Sequence, residues 1–229
     1  MIQPSVVGFL ILLAALSQQV VEHSLTNHSV QQQPIRTVLI LGNSIVRHPP
    51  APSIGWPNDW GMAASVADSD FVHCLIRDIH RSKETVTVQY LNVANWERSY
   101  NHYAMNRLDS LRNPDLLIMR LAENVVDEQA ADSGFVANYD KLITYLDPDN
   151  RAVKVITDGF WVKKHVNPLI QAYAKQKQYP FVHLSDLSAD STNMAQRQYT
   201  NKGVGIHPSD KGMRLIASRI WAVIKPYFT

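Results

Sequence analysis

Ser44, Asn124 and His207 lie far apart in the chain, yet together they would supply a nucleophile, an oxyanion donor and a general base. A serine hydroxyl is a weak nucleophile until a base takes its proton, and a histidine of near-neutral pKa is the usual base. The negative charge that develops on an attacked carbonyl oxygen needs fixed N–H donors, from backbone amides or from an Asn side chain. One Ser, one Asn and one His meet these needs with no cofactor and no metal. Each also has an ordinary structural explanation. Ser44 would cap a helical turn, Asn124 would close a turn, and His207 before Pro208 would sit in another.

The elements around these residues decide between the two explanations. After a polar stretch the chain alternates strand and helix patterns. Short apolar runs at 37–41 (TVLIL), 85–91, 115–121, 152–157 and 181–184 read as strands, the first of them buried on both faces. Helical patterns fall at 70–81, 103–112, 136–146 and 167–178. The last helix is the clearest: Met213, Ile216, Ala217, Ile220, Trp221 and Ile224 share one face, Ser209 suits its N-cap, Asp210 its first turn and Pro226 its end. This order implies an α/β fold, flavodoxin-like, with three layers and about five mostly parallel strands. In such sheets ligands bind beyond the carboxyl ends of the strands. Gly42-Asn43-Ser44 follows the first strand there, Ala122-Glu123-Asn124 the third, Asp158-Gly159-Phe160-Trp161 the fourth, and His207 precedes the last helix. A long Pro- and Gly-rich loop at 47–61 is of the length that tends to be functional.

Taken in order, these blocks resemble the SGNH (GDSL-like) hydrolase superfamily, over about residue 37 to the C-terminus. Gly42-Asn43-Ser44 matches its G-D-S block, Ala122-Glu123-Asn124-Val125 its G-x-N-D block, and Val204-Gly205-Ile206-His207-Pro208 its D-x-x-H-P block. The version G-N-S-I followed by H-P-P and D-W-G-M is similar to a bacterial branch of that superfamily. The resemblance implies Ser44 as nucleophile and, through its backbone N–H, as one oxyanion donor. Asn124 would be another donor, and His207 the general base and then the acid for the leaving alcohol.

Three positions depart from the pattern. The acid expected three residues before the histidine is Val204, the Gly block after the second strand reads Asn92-Val93-Ala94-Asn95-Trp96, and the glycine of the third block is Ala122. Backbone N–H groups of Ala94, Asn95 or Trp96 would serve in place of the second block. The acid normally holds the imidazole in the right tautomer and stabilises the imidazolium. Three substitutes remain open: a backbone carbonyl, Glu123 on the neighbouring loop as accessory acid, or no effective catalysis. Asp210 has a sufficient role at its helix N-terminus.

The remaining residues narrow the function class. His48 and His73 lack partners at zinc spacing, and the single Cys74 excludes an intrachain disulfide and Cys-based metal sites. Cys74, in FVHCLIRDI, is expected on a core-facing helix. With 22 Lys+Arg against 20 Asp+Glu the net charge is +2, and no basic cluster points to nucleic acid. The apolar run 6–16 is too short to span a bilayer and suits a signal peptide. The expected organisation is therefore a signal peptide at 1–17, a linker at 18–36 and a hydrolase domain at 37–229, secreted or periplasmic, with no stable membrane insertion after cleavage. Trp56, Trp60, Trp96 and Trp161 fall in predicted loops at the same sheet end, and Trp60 and Trp161 are the candidates for stacking on a sugar ring. The expected activity is hydrolysis of a carboxylic ester on a small molecule or polysaccharide, such as an acetyl group on a carbohydrate. The rivals are a lipid or thioester hydrolase and an inactivated scaffold that binds carbohydrate.

Overall fold

The computed structural model describes residues 34–131 and 134–228. The expected signal peptide and nearly all of the expected linker lie outside the described residues. The sheet consists of β1 (Thr37–Gly42), β2 (Thr87–Asn92), β3 (Leu116–Met119), β4 (Val153–Thr157) and β5 (Phe181–Val182), and every pairing is parallel, in the order β2-β1-β3-β4-β5. This is the flavodoxin-like order, and its switch point lies between β1 and β3.

Helices cover both faces. On one side α1 (Phe71–Ser82) and α6 (Asp210–Ile224) pack with Val38, Ile40, Leu116, Ile118 and Val155. On the other, α3 (Phe135–Leu146) and α4 (Val166–Lys177) pack with Leu39, Leu41, Leu117, Met119 and Ile156. Alternate residues of one strand thus enter opposite cores, which is why β1 and β3 read as unbroken apolar runs rather than as alternating patterns. Cys74 is buried on α1 as expected. Among the described residues no helix is long and apolar enough to cross a membrane.

Some elements differ from the sequence expectation. The segment expected as a helix at 103–112 is a 3₁₀ helix, Met105–Leu111. Its apolar residues Met105, Leu108 and Leu111 recur every three positions, the period of the tighter helix. Two short helices were not legible: α2 (Ala94–Arg98) after β2, and α5 (Lys202–Gly205) before His207. The fifth strand ends at Val182 rather than at 184, because the Asp158 carboxylate draws Leu184 N–H, Ser185 Oγ and His183 Nδ1 to itself.

The long loop at 47–61 folds back as a strap. His48 bridges to Trp60 and Ala51 to Trp56, and Arg47 pairs with Asp59 at 2.7 Å. Trp56 is fully buried in a satellite core with Met62, Ala63, Ala195 and Val204. The last helix, α6, docks tightly at Gly212, where a Cβ would stand 2.2 Å from the Asn193 carbonyl oxygen and 3.1 Å from Pro208 Cβ. Backbone cannot yield as a flexible side chain can. Gly212→Ala is therefore expected to destabilise the protein by about 2–3 kcal/mol through overpacking, read from the shift in urea midpoint at unchanged slope.

Candidate active site

Ser44 follows β1 in a tight turn whose Val46 and Arg47 N–H groups return to the Asn43 carbonyl at 2.9 and 3.1 Å. Gly42 is required there, because a Cβ would stand 2.2 Å from Val46 Cγ2 and 3.0 Å from the Arg120 carbonyl oxygen. Ser44 Oγ lies 2.8 Å from His207 Nε2. On the other side of the ring, Nδ1 lies 2.8 Å from the Gly203 carbonyl oxygen. A carbonyl only accepts, so Nδ1 carries the proton and Nε2 presents its lone pair to the serine. The histidine is 9% exposed. Burial pulls its pKa down to about 4, against the opposing effects of the Gly203 hydrogen bond and the Glu123 charge. It is neutral, and available as a base, through the physiological range.

Gly203 is placed by α5, which Asn201 caps by accepting from the N–H groups of Gly203 and Val204. Val204 has no polar partner to offer: its side chain is fully buried against the strap. The position that would hold an acid in the resembling family is thus part of an apolar core, and the ring is oriented by backbone instead.

Donors for an oxyanion surround Ser44. The Ser44 and Asn95 backbone N–H groups have no acceptor among the described residues. Ala94 N–H is spent on Asn92 Oδ1 at 2.8 Å and Trp96 N–H on the Val93 carbonyl at 2.8 Å. Of the three replacements considered for the second block, Asn95 alone remains unclaimed. Asn124 is held at both ends: its Nδ2 donates to Glu97 Oε2 at 2.6 Å and its Oδ1 accepts from Arg98 Nη2 at 2.7 Å. An amide nitrogen has two hydrogens, so one N–H of Asn124 remains for a ligand.

Beneath these donors lies a buried ionic network that the sequence did not reveal. Arg120, fully buried, donates to Glu123 Oε1 at 2.6 Å and to Asn43 Oδ1 at 3.3 Å. Asn43 Nδ2 donates to both Glu123 Oε2, at 2.6 Å, and Glu97 Oε1, at 3.2 Å. Glu97 also accepts from Ala122 N–H at 2.7 Å. The two carboxylates share the Asn43 amide, but only Glu123 is paired with the guanidinium, and their pKa values part. Burial first, and the Glu123 charge second, push Glu97 up to about 7. Burial works against Glu123 too, but the Arg120 charge, Phe160 N–H and Asn43 outweigh it and hold its carboxyl below the usual range. Asn43 accordingly suits a position where an aspartate would add a third negative charge and remove both donors.

The structure brings Ser44, His207, Asn124 and Trp161 together around one cleft of about 710 Å³. Trp161 stands edge-on to the His207 ring, 5.2 Å between centroids, and its Nε1 donates to the Ile206 carbonyl at 3.2 Å. Glu123 reaches the cleft, but its oxygens are taken by Arg120, Phe160 N–H and Asn43, and His207 Nδ1 faces Gly203 instead. Trp60 is not in the cleft; it packs edge-on to Trp56 and donates to the Ala64 carbonyl at 2.9 Å. Trp96 is fully buried beside Tyr100, Phe135 and Tyr139. Asp210 binds Ser65 through its N–H and Oγ. Missed from sequence were the roles of Asn43, Glu97, Arg98 and Arg120; a backbone carbonyl behind His207 was among the expected substitutes, and Gly203 supplies it. The only available signal was a Glu and an Arg set among residues that otherwise read as buried.

No family model and no curated protein sequence matches the chain. Solved structures do. A two-domain esterase active on acetylated mannans superposes with a TM-score of 0.54 at 14% identity, covering 84% of this chain and 49% of that one. The chain therefore spans about half of that protein's length. An acetyl xylan esterase gives 0.52 at 14% identity over 82% of this chain and 99% of that one, and the lipase/acylhydrolase from Enterococcus faecalis gives 0.52 at 15% over 84% and 96%. The fold these structures share with the chain is three-layer α/β. More narrowly, it is similar to that of a putative GDSL-like lipase from Bacteroides ovatus, with a TM-score of 0.55 at 16% identity over 85% of this chain and 100% of that one.

The network makes a specific demand on residue 43. Asn43→Asp is expected to cost about 3 kcal/mol at pH 8, the range for leaving a buried charge unpaired. The loss should shrink towards pH 5. The new carboxyl would have a raised folded-state pKa, and once protonated it can donate again. Chemical denaturation at the two pH values measures this, and an equal loss at both would contradict it.

Proposed function

We propose that the protein is a serine ester hydrolase that works through an acyl-Ser44 intermediate. The observation that carries this reading is the 2.8 Å contact between Ser44 Oγ and the unprotonated Nε2 of a buried, neutral histidine. Ser44 Oγ attacks the ester carbonyl while its proton passes to Nε2. The carbonyl oxygen collects negative charge against the Ser44 and Asn95 N–H groups and the free N–H of Asn124. The imidazolium then donates that proton to the departing alkoxide, and a water deprotonated by the same nitrogen releases the acid. The Gly203 carbonyl fixes the tautomer throughout, and the Glu123 charge favours the imidazolium.

The substrate class proposed is an O-acetylated carbohydrate. Support comes from Trp161 at the cleft, and from the mannan- and xylan-active esterases among the proteins that share the fold. Export to the cell exterior or periplasm is proposed on the apolar run 6–16. A second reading, a carbohydrate-binding protein without turnover, draws support from the absence of a carboxylate at His207 Nδ1.

Hydrolysis of 4-nitrophenyl acetate and acetylated xylan separates the two. Ser44→Ala and His207→Ala are each expected to lose about 10³-fold or more in kcat. A wild type no faster than these variants would leave the binding reading. The pH profile tests the base. Only neutral His207 accepts the proton, and that form is lost as pH falls through its pKa of about 4. kcat/KM should therefore stay level from pH 8 to 5 and fall below that. An acidic limb centred near the ordinary histidine value, about 6.5, would contradict the burial argument.

A further inference from the structure

Arg98 ends α2 at the wall of the cleft, with its side chain exposed. Among the described residues its guanidinium donates to two neutral amides, Asn124 Oδ1 at 2.7 Å and Asn95 Oδ1 at 3.5 Å. A guanidinium carries five N–H donors in a planar fork matched to a carboxylate. Even with both of these bonds made, most of the fork is free, and Arg98 has no carboxylate partner among the described residues. The acid that lines the cleft, Glu123, does not offset this charge, because Arg120 already pairs with it at 2.6 Å. Nor is a cation needed to hold Asn124, whose amide Glu97 fixes from the Nδ2 side. Among the described residues the positive charge is thus unmatched, and it sits one hydrogen bond from a proposed oxyanion donor.

Resting on the esterase reading, we infer that Arg98 is a carboxylate-recognition site and that the substrate is an anionic ester. Its carboxylate would lie within a few bonds of the reacting carbonyl. That carboxylate can belong to the alcohol, as in an acetylated uronic acid unit, or to the acyl group, as in the half-ester of a dicarboxylic acid. A bidentate, charge-assisted pair formed in a cleft partly shielded from water discriminates more strongly than the same pair on an open surface.

Two substrate pairs distinguish the sources: methyl 3-O-acetyl-glucuronoside against methyl 3-O-acetyl-glucoside, and 4-nitrophenyl hemisuccinate against 4-nitrophenyl butyrate. In the wild type at least one anionic member is expected to exceed its neutral partner at least tenfold in kcat/KM. Arg98→Gln should bring that ratio close to one, and Arg98→Lys, which keeps the charge but not the fork, should retain part of it. Ratios near one in the wild type, or a ratio unchanged in Arg98→Gln, overturn the inference. So does an equal loss on both members of a pair, which would make Arg98 a positioning residue for Asn124. Calorimetric titration of Ser44→Ala with sodium glucuronate and sodium succinate, against glucose, needs no turnover. Anion binding that disappears in the Ser44→Ala/Arg98→Gln double variant upholds the site even if the wild type hydrolyses nothing, in which case the esterase reading alone fails. Absence of anion binding overturns the site and leaves the esterase reading to its own test.

Discussion

The structure depends on a buried Arg120–Glu123 ion pair that the Asn43 amide links to a second buried carboxylate, Glu97. Taking such groups out of water costs several kcal/mol per ion, and the cost is met only when nearly every lone pair and N–H is engaged. Asn43 makes this arrangement workable. Its amide donates to Glu97 and Glu123, and its oxygen accepts from Arg120 and from Ile45 N–H. The partners come from the turn after β1, from α2 after β2 and from the segment after β3, and Glu123 reaches across to Phe160 after β4. Four strand ends are thereby fixed to one another by hydrogen bonds as well as by apolar packing. The groups proposed to do chemistry stand on that platform.

The second constraint is how the histidine is held. A carboxylate would both set the tautomer and stabilise the charged ring. The Gly203 carbonyl does the first fully and the second weakly, because it brings a dipole and not a charge. The exchange follows from the strap. With Trp56 turned inward, the α5 face beneath it must be apolar, and Val204 fills it. An acid whose side chain took the place of Val204 in that core would be a charge buried among apolar groups, and His207 Nδ1 already has the Gly203 carbonyl. Packing of the long loop and loss of the acid are two results of the same local choice.

The position of Arg98 follows from the platform as well. Glu97 must point inward to reach Asn43, Ala122 and Asn124, and the next residue on so short a helix then faces the cleft. Adjacent residues of opposite charge thus take opposite tasks, one buried beneath the donors and one exposed beside them.

Much of this was set by the sequence itself. Apolar runs without alternation defined strands covered on both faces. The 3.6-residue stripe from Met213 to Ile224 defined α6, and the order of strands and helices led to a parallel sheet with Ser44, Asn124 and His207 at one end. These are properties of neighbours along the chain, and local periodicity records them. The tertiary structure alone decided which partner each polar group found. Asn43 lies 54 residues from Glu97 and 77 from Arg120, and no local pattern encodes which distant carboxylate an amide will meet. It also moved Trp60 and Trp96 away from the cleft and turned Glu123 towards Arg120. Burial is decided by contacts between segments, and a side chain's electrostatic partners are chosen only once those segments meet.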